Sequence, residues 1–175
     1  MTADLDFEAL VSQYYASLYQ FAFSLTRSES DASDLTQQTF YIWAAKGHQL
    51  KDVKKVKSWL FTTLHREFLE SHRRRTRFPH HELDEASPEL PSVDVDLASQ
   101  LDGTKVVQLL SEIDDQYQAP VALFYLEDLA YKDISEILCI PLGTVKSRIS
   151  RGIGQMQLLL SKAPQVLHPA RKVAS

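Results

Sequence analysis

The residues most suited to a specific chemistry lie within residues 128–151, DLAYKDISEILCIPLGTVKSRISR. Apolar residues recur at helical spacing on both sides of residues 139–141, which predicts two helices joined by a tight turn. This layout is typical of a helix-turn-helix, whose second helix enters the major groove of DNA. That helix carries hydroxyls and cations opposite or beside its apolar stripe, namely Thr144, Lys146, Ser147, Arg148 and Arg151. Short side chains allow a close approach to base edges and cations bind phosphates, so the stretch predicts contact with duplex DNA.

The alternative for this helix is an ordinary amphipathic helix whose basic face lies in solvent. Solvated faces usually mix both signs of charge. Residues 146–161 contain no Asp or Glu, although the whole chain has 23 acidic residues and a net charge of −4. The local excess of cations therefore favours DNA contact.

The charges along the chain are strongly segregated. Residues 51–77 contain nine cations and three acids, a net charge of +6, whereas residues 78–104 contain seven acids and no Lys or Arg. A basic segment inside an acidic chain is typical of a surface that binds nucleic acid. The distribution therefore indicates a second nucleic-acid contact in the first half of the chain.

Composition limits the classes of protein to which the chain can belong. Its 175 residues, 44% hydrophobic and 24% charged, suit one domain or two small ones with a buried core. Cys139 is the only cysteine, and the six histidines lack the spacing of a zinc site, so we expect no disulfide, metal or cofactor. No apolar run approaches ~20 residues and no secretion signal begins the chain, so we expect a cytoplasmic protein without membrane insertion.

No part of the sequence has the spacing of a catalytic centre. No nucleophile lies next to a base on a rigid turn, and no glycine-rich phosphate loop occurs among the five glycines. We therefore expect a binding protein and no enzyme.

Helical periodicity predicts an all-α chain with two small bundles. Three amphipathic helices fall at about residues 7–25, 28–46 and 58–74, and about four more follow from Thr104. Between the bundles, prolines among acids and serines predict a flexible acidic linker. We divide the chain into a first bundle, the linker, the helix-turn-helix bundle and a frayed tail, at residues 1–77, 78–103, 104–162 and 163–175.

Three motifs of this chain resemble, in the same order, parts of bacterial sigma factors of the extracytoplasmic-function group of the sigma-70 family. SDASDLTQQTFYIW resembles the second-region motif that docks on core RNA polymerase. KDVKKVKSWLFTTLHREFLESHRRRTR resembles the part of the same domain that melts the −10 element, and LAYKDISEILCIPLGTVKSRISR resembles the fourth region, which binds the −35 element. The common order makes the resemblance more specific than any single motif.

The resemblance implies roles for individual residues of the first bundle. Five residues are implied to dock on the coiled coil of the polymerase clamp: Asp34, Leu35, Gln37, Gln38 and Phe40. For Leu35 and Phe40 the alternative is a position in the core of the bundle. The resemblance also implies contact with the single-stranded −10 element by Lys54, Lys55, Lys57, Ser58, His65, Arg66, Arg73 and Arg74. Trp59 is expected in the core and not as a platform for an unstacked base.

The sequence departs from the family pattern at several positions. His65-Arg66 and Glu70 replace a usual arginine-asparagine and aspartate, so the −10 base preference does not carry over. Trp43 lies one position before the usual aromatic residue, which leaves its packing open. Cys139 stands where the turn usually has glycine; a left-handed conformation there would cost roughly 1–2 kcal/mol, and we expect a small buried residue rather than a redox sensor.

The function implied is that of a sigma factor: binding core RNA polymerase, recognising double-stranded −35 DNA and melting the −10 element. The family also implies an inhibitory anti-sigma factor as a partner. Two alternatives remain open, a sigma-like decoy that binds an anti-sigma factor without DNA, and a stand-alone helix-turn-helix regulator.

Overall fold

The computed structural model describes residues 6–75 and 103–162, and within these two ranges the chain is helical without strands. The first bundle contains α1 (Phe7–Thr26), α2 (Glu29–Lys46) and α3 (Val56–Arg75), with short 3₁₀ turns at Gly47–Gln49 and Val53–Lys55. The second bundle contains α4 (Gly103–Leu110), α5 (Asp115–Tyr125), α6 (Tyr131–Leu138) and α7 (Leu142–Lys162). The predicted all-α class with two bundles and a helix-turn-helix is confirmed. The linker and tail predictions lie outside the described residues.

Local capping sets the boundary between α1 and α2. Arg27 adopts a left-handed conformation with φ of 55°, and its N–H bonds to the Phe23 carbonyl at 2.9 Å. Ser28 is the N-cap of α2, since its hydroxyl accepts a hydrogen bond from the Asp31 N–H at 3.3 Å. The chain therefore reverses direction within two residues, which lays α1 against α2.

The core of the first bundle is built from aromatic and aliphatic contacts among all three helices. Phe21 of α1 and Phe61 of α3 are almost fully buried, with ring centroids 5.4 Å apart. Trp43 of α2 is also buried and meets half-buried Trp59 edge-on at 5.1 Å. Trp43, which lies one position before the usual aromatic residue of the family pattern, therefore packs inside the bundle. Trp59 contacts it there and does not form an open stacking surface.

The second bundle depends on a close approach of α7 to α5. Val145, Ile149 and Met156 form the buried stripe of α7 predicted from the sequence. Gly152 lies on the same helix where α5 comes nearest: an added Cβ would lie 2.5 Å from Val121 Cγ2. Among the described helices, none combines the length and apolar character that crossing a bilayer requires.

Two glycines of α7 provide a matched test of this close approach. Gly152→Ala should destabilise the second bundle by about 1–3 kcal/mol, because the new methyl group forces α5 and α7 apart. Gly154→Ala has no atom within 4 Å of the added Cβ and should stabilise α7 by up to about 1 kcal/mol through helix propensity. Urea unfolding followed by circular dichroism measures both; equal effects of the two substitutions would contradict the packing described.

Candidate nucleic-acid interface

The turn of the helix-turn-helix is held by hydrogen bonds on both sides of Cys139. This residue adopts φ of 54° and ψ of 44°, and its N–H bonds to the Ser135 carbonyl. The Ser135 hydroxyl then donates to the Ile140 carbonyl at 2.6 Å. The fold therefore tolerates a left-handed cysteine where glycine was expected. The expectation of a buried thiol was wrong: Cys139 is exposed, because the left-handed turn directs its side chain away from the core.

The second helix of the motif, α7, presents the predicted DNA-facing residues outside its buried stripe. Its first backbone bond runs from the Val145 N–H to the Pro141 carbonyl at 3.0 Å, which begins the helix directly after the turn. Lys146 is exposed, while the other four residues predicted to contact −35 DNA are half-buried: Thr144, Ser147, Arg148 and Arg151. The Ser147 hydroxyl donates to the Thr144 carbonyl at 3.1 Å, which leaves its oxygen free to accept.

The residues predicted to contact −10 DNA fall into two groups, exposed cations and half-buried residues. The exposed group is Lys54, Lys55, Arg66, Arg73 and Arg74. Lys54 and Lys55 lie on a 3₁₀ turn capped by the Asp52 carboxylate, which accepts the Lys54 N–H at 3.0 Å. Lys57, Ser58 and His65 are half-buried.

His65 lies in a different environment from the arginine that follows it. Burial lowers the pKa of His65 to about 4, so the imidazole is neutral near pH 7 and supplies no cation to a phosphate. Arg66 is exposed on the neighbouring position of α3. Of this pair, Arg66 can therefore offer a cation to DNA, whereas His65 is neutral.

Lys57 bonds to the second bundle. Its ammonium donates to the Glu127 backbone carbonyl at 3.0 Å and lies 3.3 Å from the Glu127 carboxylate. Burial raises the pKa of the Glu127 carboxyl, while the Lys57 charge and hydrogen bonds from Lys57 and Ser17 lower it; the net direction is upward. The cation thus compensates only part of the cost of removing this carboxylate from water.

A second ion pair joins the two bundles near the cleft that Arg148 lines. Arg27 donates to the Asp115 carboxylate at 2.9 Å and to the Ile113 carbonyl at 3.2 Å. The cleft is lined by Arg27, Arg148 and residues 112–116. No sequence signal indicated Arg27, Asp115 and Glu127, because Glu127 lies 70 positions from Lys57 and Asp115 lies 88 positions from Arg27.

The outer face of α2 carries Asp34, Gln37 and Gln38, which are all exposed. Leu35 and Phe40 are buried, at 8% and 5% exposure, in agreement with the core alternative for both. The aromatic side chain on the outer face is Tyr41, 72% exposed. Its position seven residues after Asp34 is the sequence signal that identifies it.

Family models match both bundles. The model of sigma-70 region 2 matches residues 10–78, and that of sigma-70 region 4 matches residues 104–156. The chain is similar to the ECF RNA polymerase sigma factor SigE of Mycolicibacterium smegmatis, 32% identical over 89% of this chain and 62% of that protein's length. It is 27% identical to SigM of Bacillus subtilis, over 89% of this chain and 95% of that protein.

Solved structures show the same fold. The sigma factor RpoE in complex with the anti-sigma factor NepR, from Bartonella quintana, matches with a TM-score of 0.69 and 26% identity, covering 90% of this chain and 98% of that one. CnrH, in complex with the cytosolic domain of CnrY, matches with a TM-score of 0.62 at 20% identity, over 89% of this chain and 87% of that one. The second likeness concerns the fold alone.

The neutral His65 predicts a specific loss of stability in acid. Because its folded pKa of about 4 lies below the ordinary value of ~6.5, the unfolded chain takes up the proton first. The free energy of unfolding should therefore fall by up to roughly 3 kcal/mol as pH drops from ~6.5 to ~4. Denaturant unfolding across this range should show the loss in the wild type and a smaller one in His65→Gln. His48→Gln, at an exposed position, is the control; parallel pH profiles for all three proteins would overturn the assignment.

Proposed function

This chain belongs to the sigma-70 family of transcription initiation factors, in its extracytoplasmic-function group, and from that premise we propose that it directs core RNA polymerase to promoters. In this proposal residues 1–77 bind core polymerase and the −10 element, residues 78–103 link the bundles, residues 104–162 bind the −35 element and residues 163–175 form a tail. The observation that carries it is that exposed cations occur on two separate bundles of one chain, in the family's order.

The second bundle is proposed to read duplex DNA with α7. Thr144 and Ser147 lie near its first turn, where a recognition helix meets base edges. Lys146, Arg148 and Arg151 flank them as phosphate ligands. The support is the buried stripe on the opposite side, which leaves this face as the one directed outward.

The first bundle is proposed to hold the melted −10 strand. Lys54 and Lys55 lie before α3, and Arg73 and Arg74 lie at its end, so exposed cations mark both ends of one helix. A groove that tracks a single strand needs such charge along its length. Lys57, Ser58, His65 and Arg66 are the remaining proposed contacts, with the neutral imidazole of His65 limited to neutral hydrogen bonding.

Docking on the polymerase clamp is proposed for the outer face of α2. Asp34, Gln37 and Gln38 supply polar contacts, and exposed Tyr41 supplies the apolar one. Leu35 and Phe40, which belong to the same motif and are buried, are proposed to hold α2 in position. The Phe40 ring stacks on Tyr15 with centroids 6.3 Å apart.

An anti-sigma factor is proposed as a further partner, since the similar RpoE structure is a complex with the anti-sigma factor NepR. Because both bundles are proposed to contact the same promoter, their two weak affinities for DNA combine, since the second binding event becomes intramolecular. A partner that blocks either bundle would therefore remove most promoter affinity.

Run-off transcription with purified core polymerase and a promoter library tests the proposed function. The protein should produce specific initiation that core polymerase alone does not. Core binding without initiation would favour the decoy, and binding to palindromic DNA without polymerase would favour the stand-alone regulator.

Variants of the two surfaces make the test specific. Lys146→Ala should weaken promoter binding by holoenzyme about equally for all sequences and lower the salt slope by about 1, because it removes one phosphate contact. Lys162→Ala, also exposed and at the far end of α7, is the control. Asp34→Lys should weaken core binding at least tenfold by reversing a charge on the docking face, with Glu136→Lys as its control. Unchanged binding in either test variant would remove that residue from the interface.

A further inference from the structure

One hydroxyl of α7 lies directly opposite the buried side of that helix. Ser147 is two residues after Val145 and two residues before Ile149, and both of these apolar residues are buried, at 0% and 2% exposure. At about 100° per residue, two positions are a rotation of about 200°, so the Ser147 side chain leaves the helix on the side away from the core. When α7 lies in a major groove, Ser147 is therefore the side chain nearest the floor of the groove.

The neighbours of Ser147 on the same side of α7 leave room for a close approach to base edges. Gly143 lies one turn before it and Gly154 lies two turns after it. A Cβ added at either glycine would meet no atom of the described residues within 4 Å. Because no side chain projects at these two positions, a side chain as short as serine can reach a base.

A hydrogen bond within the helix fixes what the Ser147 hydroxyl can offer outward. A hydroxyl has one proton to donate and two lone pairs that accept. The Ser147 hydroxyl donates its proton to the Thr144 carbonyl, with an oxygen–oxygen distance of 3.1 Å. The lone pairs therefore remain for an outside partner, and Ser147 presents an acceptor.

The long polar side chains of this part of α7 offer the opposite chemistry. Lys146, Arg148 and Arg151 can only donate hydrogen bonds, which suits phosphates and the acceptors of guanine. Residues 142–162 contain no Asp or Glu, and hydroxyls are the only side-chain acceptors within residues 142–152. A base that must donate to this helix can therefore be recognised only by a hydroxyl.

The major groove presents one kind of hydrogen-bond donor, the amino group at N6 of adenine or at N4 of cytosine. An acceptor at the floor of the groove therefore favours adenine or cytosine on the strand that it contacts over guanine or thymine. To donate instead, the Ser147 hydroxyl would have to give up its bond to Thr144. In a regular helix that carbonyl keeps the N–H of residue 148, so the loss is one hydrogen bond, which corresponds to a factor of about two to ten.

We propose that Ser147 is a specificity-determining residue of the −35 contact, which accepts a hydrogen bond from the amino group of one adenine or cytosine. This inference rests on the proposed function, because Ser147 meets a base only where α7 enters the groove of the −35 element. The cations beside it bind without regard to sequence where they contact phosphates. Ser147 adds a preference for one orientation of one base pair.

Selection of −35 sequences by the holoenzyme locates the base that Ser147 contacts. The full chain with core polymerase is offered promoters randomised across the −35 element, and the bound fraction is sequenced. At one position the wild type should favour A or C over G and T on the same strand by about two- to tenfold, and Ser147→Ala should remove this preference. The matched control is Ser161→Ala. Ser161 donates to the Leu158 carbonyl at 2.8 Å in the same way, but it is exposed at the far end of α7, so its replacement should leave every preference unchanged.

Base analogues at that position identify the atom involved. One duplex carries an analogue of the favoured base that lacks the amino group, and a second carries an analogue of the paired base that lacks the keto oxygen. Loss of the amino group should lower the affinity of wild-type holoenzyme about two- to tenfold and should have no effect on Ser147→Ala. Loss of affinity only when the keto oxygen is removed would show that Ser147 donates, and would overturn the inference.

The outcomes separate the two proposals. If the holoenzyme selects no −35 sequence although the protein is folded by circular dichroism, the proposed function fails and the role of Ser147 fails with it. If the wild type selects −35 sequences and Ser147→Ala selects the same ones with equal preference, the proposed function stands and only the role of Ser147 is refuted.

Discussion

Burial of apolar side chains in one cluster that spans both helical bundles is the interaction on which the described arrangement depends, and the Glu127 carboxylate is buried at the boundary between the bundles. The carboxylate is taken out of water and only partly compensated by Lys57 and Ser17, so that its pKa rises. Such a pair adds little to stability in itself, yet removing one partner is costly. Loss of either partner would therefore weaken the boundary more than the pair strengthens it.

Each bundle owes its form to a separate constraint. In the first bundle, aromatic contacts such as Trp43 on Trp59 fix the angle of α2 to α3. In the second, Gly152 permits the close approach of α7 to α5. The two cores thus fix the outer faces of α2 and α7, for which we propose docking and contact with duplex DNA, while apolar packing and charged contacts together hold the boundary between the bundles.

Much of this structure could be predicted from the sequence because its signals are local. Ser28 capping α2 and the buried stripe of α7 depend on residues within a few positions of each other. The rest depends on burial by distant elements. Periodicity did not reveal that His65 lies in a desolvated site or that Tyr41 is the outward aromatic residue of α2. It carried no signal for the contact between Lys57 and Glu127, which are 70 positions apart.

We propose that one chain binds core RNA polymerase through its first bundle and promoter DNA through both bundles. Binding of the purified full chain to core RNA polymerase tests the first of these contacts most directly. Saturable binding to core polymerase is the expected result. No affinity of a folded sample for core polymerase would contradict the proposed function, whatever its affinity for DNA.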